Sequence, residues 1–205
     1  FLFAMFFSKK FTLAGPIRGL VLVGYMMPMS VTALLGKNLF LLDGGVINDL
    51  LMKVHLISSP IDWLVNGGTA LGAVIAVNCW VGIPFNMLLL TSGLTGISTD
   101  IYESASMDGA NAFKRFIYIT LPLMKPAMLS VLMLGFIYTF KAFDLMYIMT
   151  AGGPFNSTDV LGTYAYSKAF TQYEFSQGSA IAMVLFACLF LVGIFYLKLL
   201  SKEDD

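Results

Sequence analysis

Residues 63–99 read WLVNGGTALGAVIAVNCWVGIPFNMLLLTSGLTGIST, and no Asp, Glu, Lys, Arg or His interrupts them. Asp62 and Asp100 bound the run. A bilayer core needs about 20 consecutive apolar residues in helical form, so this stretch is long enough to cross it. Two further charge-free intervals, Arg18 to Lys37 and Glu174 to Lys198, have the same character. Together with the apolar run before Thr150 they predict transmembrane helices at about 19–41, 69–91, 124–149 and 179–200. The segment 1–7 is apolar but too short to span. Because it opens on Phe inside an apolar run, it is expected to be the end of a truncated helix, so the chain reads as N-terminally incomplete. A signal peptide does not fit, since no basic segment precedes the run and Lys9 and Lys10 follow it.

Composition agrees with a membrane location. Of 205 residues, 58% are hydrophobic, 14% aromatic and only 12% charged, against about 25% charged in soluble domains. That argues against a soluble enzyme and against a disordered chain. Twelve basic residues balance twelve acidic ones, which removes the basic footprint of a nucleic-acid binder. Basic residues resist translocation, so their placement sets orientation. Lys9, Lys10, Arg18, Lys114, Arg115, Lys125, Lys198 and Lys202 flank one set of helix ends, whereas the alternating segments hold Lys37, Lys53 and Lys168. The loop 92–123 and the C-terminus are therefore read as cytoplasmic. Cys79 and Cys188 lie inside predicted spans and read as small apolar packing residues. His55, in a predicted outer loop, is given no metal or catalytic role.

The cytoplasmic loop is patterned. Asp100 and Glu103 suggest an N-cap with an acid three residues on, opening a short helix through Tyr102, Ala105 and Met107. Asp108-Gly109 breaks it. A second helix follows, with Ala112, Phe113, Phe116 and Ile117 on one face and Lys114 and Arg115 on another, until Leu121-Pro122 and Pro126. Periodicity leaves two readings open, an amphipathic element lying among headgroups or a docking surface for a cytoplasmic partner.

Glu103-Ser104-Ala105, Gly109, Ile119 and Leu121-Pro122 resemble the E-A-A, three residues, G, nine residues, I-x-L-P signature of bacterial ABC importer permeases. Every spacing is met, and Ser104 replaces the middle alanine. Trp80-Val81-Gly82-Ile83-Pro84-Phe85-Asn86, Met107-Asp108-Gly109-Ala110, Phe143-Asp144-Leu145 and Thr150-Ala151-Gly152-Gly153-Pro154 are similar to stretches of the carbohydrate-uptake permeases, especially the larger maltose permease subunit.

The resemblance implies an all-α, polytopic type I ABC importer permease fold, forming one transmembrane domain over 1–205 in a bacterial plasma (inner) membrane. It implies a second permease subunit, an ABC ATPase dimer and an extracytoplasmic solute-binding protein as partners, with membrane lipid around them and no nucleic acid. No G-x-x-x-x-G-K-[ST] phosphate loop occurs in this sequence. ATP and Mg are therefore expected in the partner ATPase, with no cofactor or metal on this chain.

Under this resemblance the loop is a coupling element seated on the ATPase. Glu103 would make a charge-assisted contact there, or cap its own helix. Ser104, Ala105 and Ala110 belong to the same close-packed surface. Gly109 would either allow close approach or supply a positive φ at a helix end. Asp108 is expected to cap the second short helix, Phe113 and Phe116 to pack on the helix ends or in the ATPase cleft, and Lys114 and Arg115 to meet headgroups.

A pathway for a neutral polyhydroxylated solute calls for aromatic faces and hydrogen-bonding groups. Asn78, Trp80, Asn86, Tyr138, Phe143 and Tyr147 offer these, although helically spaced aromatics also serve as packing. Lys141 and Asp144, three apart within an apolar run, are expected to form a local ion pair. The outer segment 151–178 and the group Pro60, Asp62 and Trp63 are candidates for the surface that receives the binding protein. An ion-coupled secondary transporter is the competing reading, opposed by the shortage of ionisable groups within the spans. A non-transporting scaffold is allowed by composition alone.

Overall fold

The fold comes from a computed structural model describing residues 1–8 and 12–201. Lys9, Lys10 and Lys202, used in the orientation argument, lie outside the described residues. Among the described residues the chain is helical throughout, without strands. The helices in order are α1 (Leu2–Ser8), α2 (Ala14–Met26), α3 (Met29–Leu39), α4 (Val46–Lys53), α5 (Gly67–Thr95), α6 (Thr99–Met107), α7 (Ala112–Arg115), α8 (Leu121–Leu123), α9 (Lys125–Phe140), α10 (Asp144–Thr150), α11 (Leu161–Tyr166) and α12 (Phe175–Ser201). One π-helical segment, Phe116–Thr120, joins α7 to α8, and another, Ser167–Thr171, extends α11.

Two helices, over Gly67–Thr95 and Phe175–Leu199, are each long and apolar enough to cross a membrane. The first exceeds the interval 69–91 at both ends, and the second begins four residues before the interval 179–200. The interval 19–41 is not one helix. It breaks at Met27-Pro28, with Pro28 extended (φ −56°, ψ 137°) before α3. The cause is local, because a proline drives its predecessor out of the helical region and cannot donate a backbone hydrogen bond. The interval 124–149 is likewise broken, at residues 141–143 between α9 and α10. No Pro or Gly lies there. Instead α10 is fixed by its packing, burying Leu145, Met146 and Met149. The expected pair Lys141–Asp144 is a casualty of that break: Lys141 lies in the break, just past the end of α9, Asp144 opens α10, and the two form no ion pair.

The chain divides into two compact units, Phe1–Tyr25, Gly82–Phe136 and Val192–Asp205 in the first, Met26–Val81 and Ile137–Leu191 in the second. The first is centred on Ala4, Leu90 and Met124, with Leu94, Ala127, Met128 and Val131 packed around them. Gly93 lets α5 and α9 approach closely, since a Cβ there would lie 2.8 Å from the Ala127 Cβ. The Arg18 guanidinium donates to the Phe7 carbonyl at 2.6 Å, securing the end of α1.

The core of the second unit joins Ala33 and Phe40 to Ala73, Val74 and Val77 of α5 and to Leu145, Met146 and Met149 of α10. Its outer connection is organised by Asn48, only 1% exposed. The Asn48 Nδ2 donates to the carbonyls of Leu41 (3.1 Å) and Ile61 (2.9 Å), and its Oδ1 accepts from the Ile61 N–H (3.1 Å) and the Trp63 indole (2.8 Å). Trp63 in turn meets Phe40 edge-on at 5.7 Å.

Gly178 sets the docking of α12 on the α11 extension. A Cβ at this position would lie 2.7 Å from the Ala169 Cβ and 3.0 Å from the Ala165 carbonyl and Ala169 nitrogen. Backbone atoms cannot yield as a side-chain tip can. Gly178→Val is expected to destabilise by about 1–3 kcal/mol, read as a lower thermal midpoint in detergent. An unchanged midpoint would contradict this packing. Farther along α12, Phe186, Phe190, Leu191 and Phe195 are exposed, as suits a helix with apolar surroundings.

Candidate coupling hairpin and pathway residues

The hairpin lies wholly within the first unit. Ser98 caps α6, its side chain accepting the Asp100 N–H at 3.3 Å. The expected cap at Asp100 is thus two residues late, and Asp100 occupies the first turn instead, where an acid is also favourable. The other end of α6 closes on a left-handed glycine. The Gly109 N–H bonds the Ser106 carbonyl (3.1 Å) and the Ala110 N–H bonds the Ala105 carbonyl (2.9 Å), with Gly109 at φ +77°. This is the paired closure that a glycine just past a helix end makes possible.

Asp108 is the residue that ends α6, just before the glycine, and does not cap the next helix. Asn111 does, accepting the Lys114 N–H at 2.9 Å. Asn111 has this role because it stands directly before Ala112, after the turn that Gly109 needs. Glu103 and Ser104 are exposed, Ala105 and Ala110 half-buried. Phe113 is 72% exposed and Met107 89%, so Phe113 is not packed on the helix ends. Phe116, expected to pack there with it, does so, meeting Phe1 edge-on at 6.0 Å. A Cβ on Gly109 would meet nothing within 4 Å, leaving this corner open on the chain's own side.

Four residues the sequence reading left without these roles fasten the hairpin. The Arg115 guanidinium donates to the Ser106 hydroxyl at 2.7 Å, rather than serving only as a headgroup anchor. The Ser106 hydroxyl donates to the Tyr102 carbonyl at 2.7 Å, and the Tyr102 hydroxyl bonds that of buried Thr120 at 2.9 Å. The second leg continues through the π-helical turn to Leu123, then bends by 62° into α9. Pro122 contributes by being unable to donate one turn back.

The pathway candidates are only partly brought together. Phe143 stacks on Tyr147 with centroids 5.2 Å apart. Tyr166, which the sequence placed in an outer surface segment, lies 5.1 Å from Phe143 and 5.0 Å from Tyr147. Phe170 and Phe175 continue the series at 5.1 and 6.2 Å. Tyr138 is exposed near the end of α9. Asn78 and Trp80 lie on the second-unit part of α5, half-buried and exposed, outside that aromatic group. Asn86 follows buried Pro84 in the first unit. Cys79 is exposed rather than packed, and Cys188 is half-buried.

Residues 1–202 match the family described as binding-protein-dependent transport system inner membrane component. The chain belongs to this family. Among relatives of this permease chain, it is 32% identical over 201 residues to the sulfoquinovosyl glycerol transport system permease protein SmoG of Agrobacterium fabrum, covering 98% of this chain and 65% of the relative. It is 33% identical over 196 residues to the trehalose/maltose transport system permease protein MalF of Thermococcus litoralis, covering 96% and 65%. The chain thus spans about two-thirds of the length of these permeases, 65% in each case. A bacterial ABC transporter involved in the import of the acidic polysaccharide alginate has the same fold, with a TM-score of 0.87 at 18% identity, over 100% of this chain and 72% of that one. The expected all-α permease fold is therefore the observed one.

Proposed function

We propose that this permease-family chain is the transmembrane subunit of an ATP-driven importer. It forms part of the translocation pathway for a sugar or related solute and couples to a separate ATPase through the hairpin at 99–123. The observation that carries this reading is the hairpin itself. α6 presents Glu103 and Met107 outward and α7 presents Phe113, the two joined through a glycine with open space beside it. An exposed carboxylate beside large apolar side chains suits a protein partner that supplies a cation and an apolar cleft.

The sugar class draws support from the names of the two relatives and from Phe143, Tyr147 and Tyr166, whose rings and hydroxyls match the apolar faces and hydroxyls of a saccharide. In this reading the hairpin and C-terminus lie on the cytoplasmic side. A second permease completes the pathway, and an ATPase dimer holds ATP and Mg. A solute-binding protein delivers the cargo from outside. Closure of the ATPase pair displaces the hairpin, and the displacement alternates access to the pathway.

The test is reconstitution of the whole complex in proteoliposomes. ATP hydrolysis is expected to rise when binding protein loaded from a panel of di- and oligosaccharides is added, with solute uptake in parallel. Uptake driven by an ion gradient with no ATPase present would overturn the proposal in favour of a secondary transporter.

A further inference from the structure

α6 has no buried residue along its nine positions. Burial alone therefore cannot make it move as one body with the second leg of the hairpin. What joins the legs is a pair of side-chain hydrogen bonds of unequal setting. The outer one, Arg115 to Ser106 at 2.7 Å, is solvent-exposed. The inner one, between the hydroxyls of Tyr102 and Thr120, spans eighteen residues at 2.9 Å and ends on a side chain only 6% exposed.

Either hydroxyl can donate in the inner bond, and the Thr120 hydroxyl also lies 3.4 Å from the Arg115 carbonyl, to which it can donate when Tyr102 supplies the hydrogen of the inner bond. A buried hydroxyl deprived of its partner costs about 1–3 kcal/mol, which favours keeping the bond closed. The place where it lands matters as much as its strength. Thr120 ends the π-helical turn, two residues before Pro122 and one helical turn before the 62° bend between Leu123 and Lys125 that leads into α9. A load on α6 is thus delivered one turn ahead of Met124, where the chain turns into the next long helix.

We propose that Tyr102 and Thr120 form the internal pin of a rigid lever, with Ser106 and Arg115 as its outer fastening, and that this pin carries displacement of α6 into α9. The inference rests on the coupling role proposed above and assigns positioning residues within it. Glu103, Phe113 and Gly109 meet the partner; Tyr102 and Thr120 act through them.

Spin labels at Ile101→Cys on α6 and Leu132→Cys on α9, both exposed positions, test it in a background of Cys79→Ser and Cys188→Ser. The assembled complex is measured without nucleotide and after trapping with Mg-ATP and vanadate. The unpinned comparison is Tyr102→Phe, which keeps the ring and removes only the hydroxyl. With the pin intact, one narrow distance is expected in both states. Tyr102→Phe should broaden it and make it shift on trapping, while the ATPase still co-purifies. Thr120→Val added to Tyr102→Phe should do no further harm, because the two residues act as one pair.

A Tyr102→Phe distance as narrow and invariant as the parent's would overturn the proposal, as would a parent distance that shifts on trapping. Should Tyr102→Phe fail to assemble, exposed Ser106→Ala decides by the same measurement. If no ATPase binds even the parent chain, the coupling reading fails. The width of the nucleotide-free distance, broad or unchanged in Tyr102→Phe, then still judges the pin.

Discussion

Replacing Gly109 by aspartate is expected to leave the chain folded in the membrane but to weaken ATPase association by at least about tenfold, or about 1.4 kcal/mol. Two observations separate these effects. Gly109 sits at φ +77°, where an L-residue costs about 1–2 kcal/mol and Asn or Asp less than most. A side chain there would meet no atom of this chain within 4 Å, so no steric penalty is added internally. Any larger loss must arise on the far side of the open corner, where the partner approaches. Gly109→Asn sharpens the test because it tolerates the same left-handed backbone without a charge. If close approach is what the glycine provides, Asn and Asp lose association alike and keep near-parental thermal midpoints. Normal transport by Gly109→Asp would exclude the corner from the interface. Co-purification and binding-protein-stimulated ATP hydrolysis are the readouts.

Asn48→Leu should lower stability by about 3 kcal/mol or more, well above the usual range for a single substitution. The replacement is similar in size, so a cavity is not the cause. The loss comes from orphaned groups. The carbonyls of Leu41 and Ile61, the Ile61 N–H and the Trp63 indole all bond this one amide, and the amide itself is almost wholly buried. Asn48→Asp is not expected to rescue, although its oxygens could still accept from Ile61 and Trp63. It would set a carboxylate oxygen against two carbonyl oxygens in place of the amide donor. The thermal midpoint in detergent measures both variants, and a Leu variant within about 1 kcal/mol of the parent would refute this account.

Features carried by neighbouring residues were legible in the sequence. Charge-free intervals located α5 and α12, and the Gly109 turn could be read because its cause is one residue's backbone freedom. Features set by distant partners were not. Nothing local pairs Tyr102 with Thr120 or Asn48 with Trp63, which meet only once the chain is folded. The caps fall between these cases. Ser98 and Asp100 can both cap a helix, as can Asp108 and Asn111 before the next. The choice depends on where the preceding segment ends, which hydropathy does not register. The same blindness explains the two interrupted intervals. Met27-Pro28 carried a visible breaker inside an apolar run, whereas the break at 141–143 follows from the burial of Leu145, Met146 and Met149.

That second break changes the electrical character of the segment it divides. One unbroken rod from Lys125 to Thr150 would present a positive backbone end and a negative one only at its extremities. Divided, it gains a negative backbone pole at the carboxyl end of α9 and a positive one at the amino end of α10. Lys141 stands just beyond the carboxyl end of α9, and Asp144 lies in the first turn of α10. Each charge therefore meets a backbone pole of opposite sign. An interval that composition describes as oil carries a small permanent field at its centre, compensated by the helix ends rather than by an ion pair.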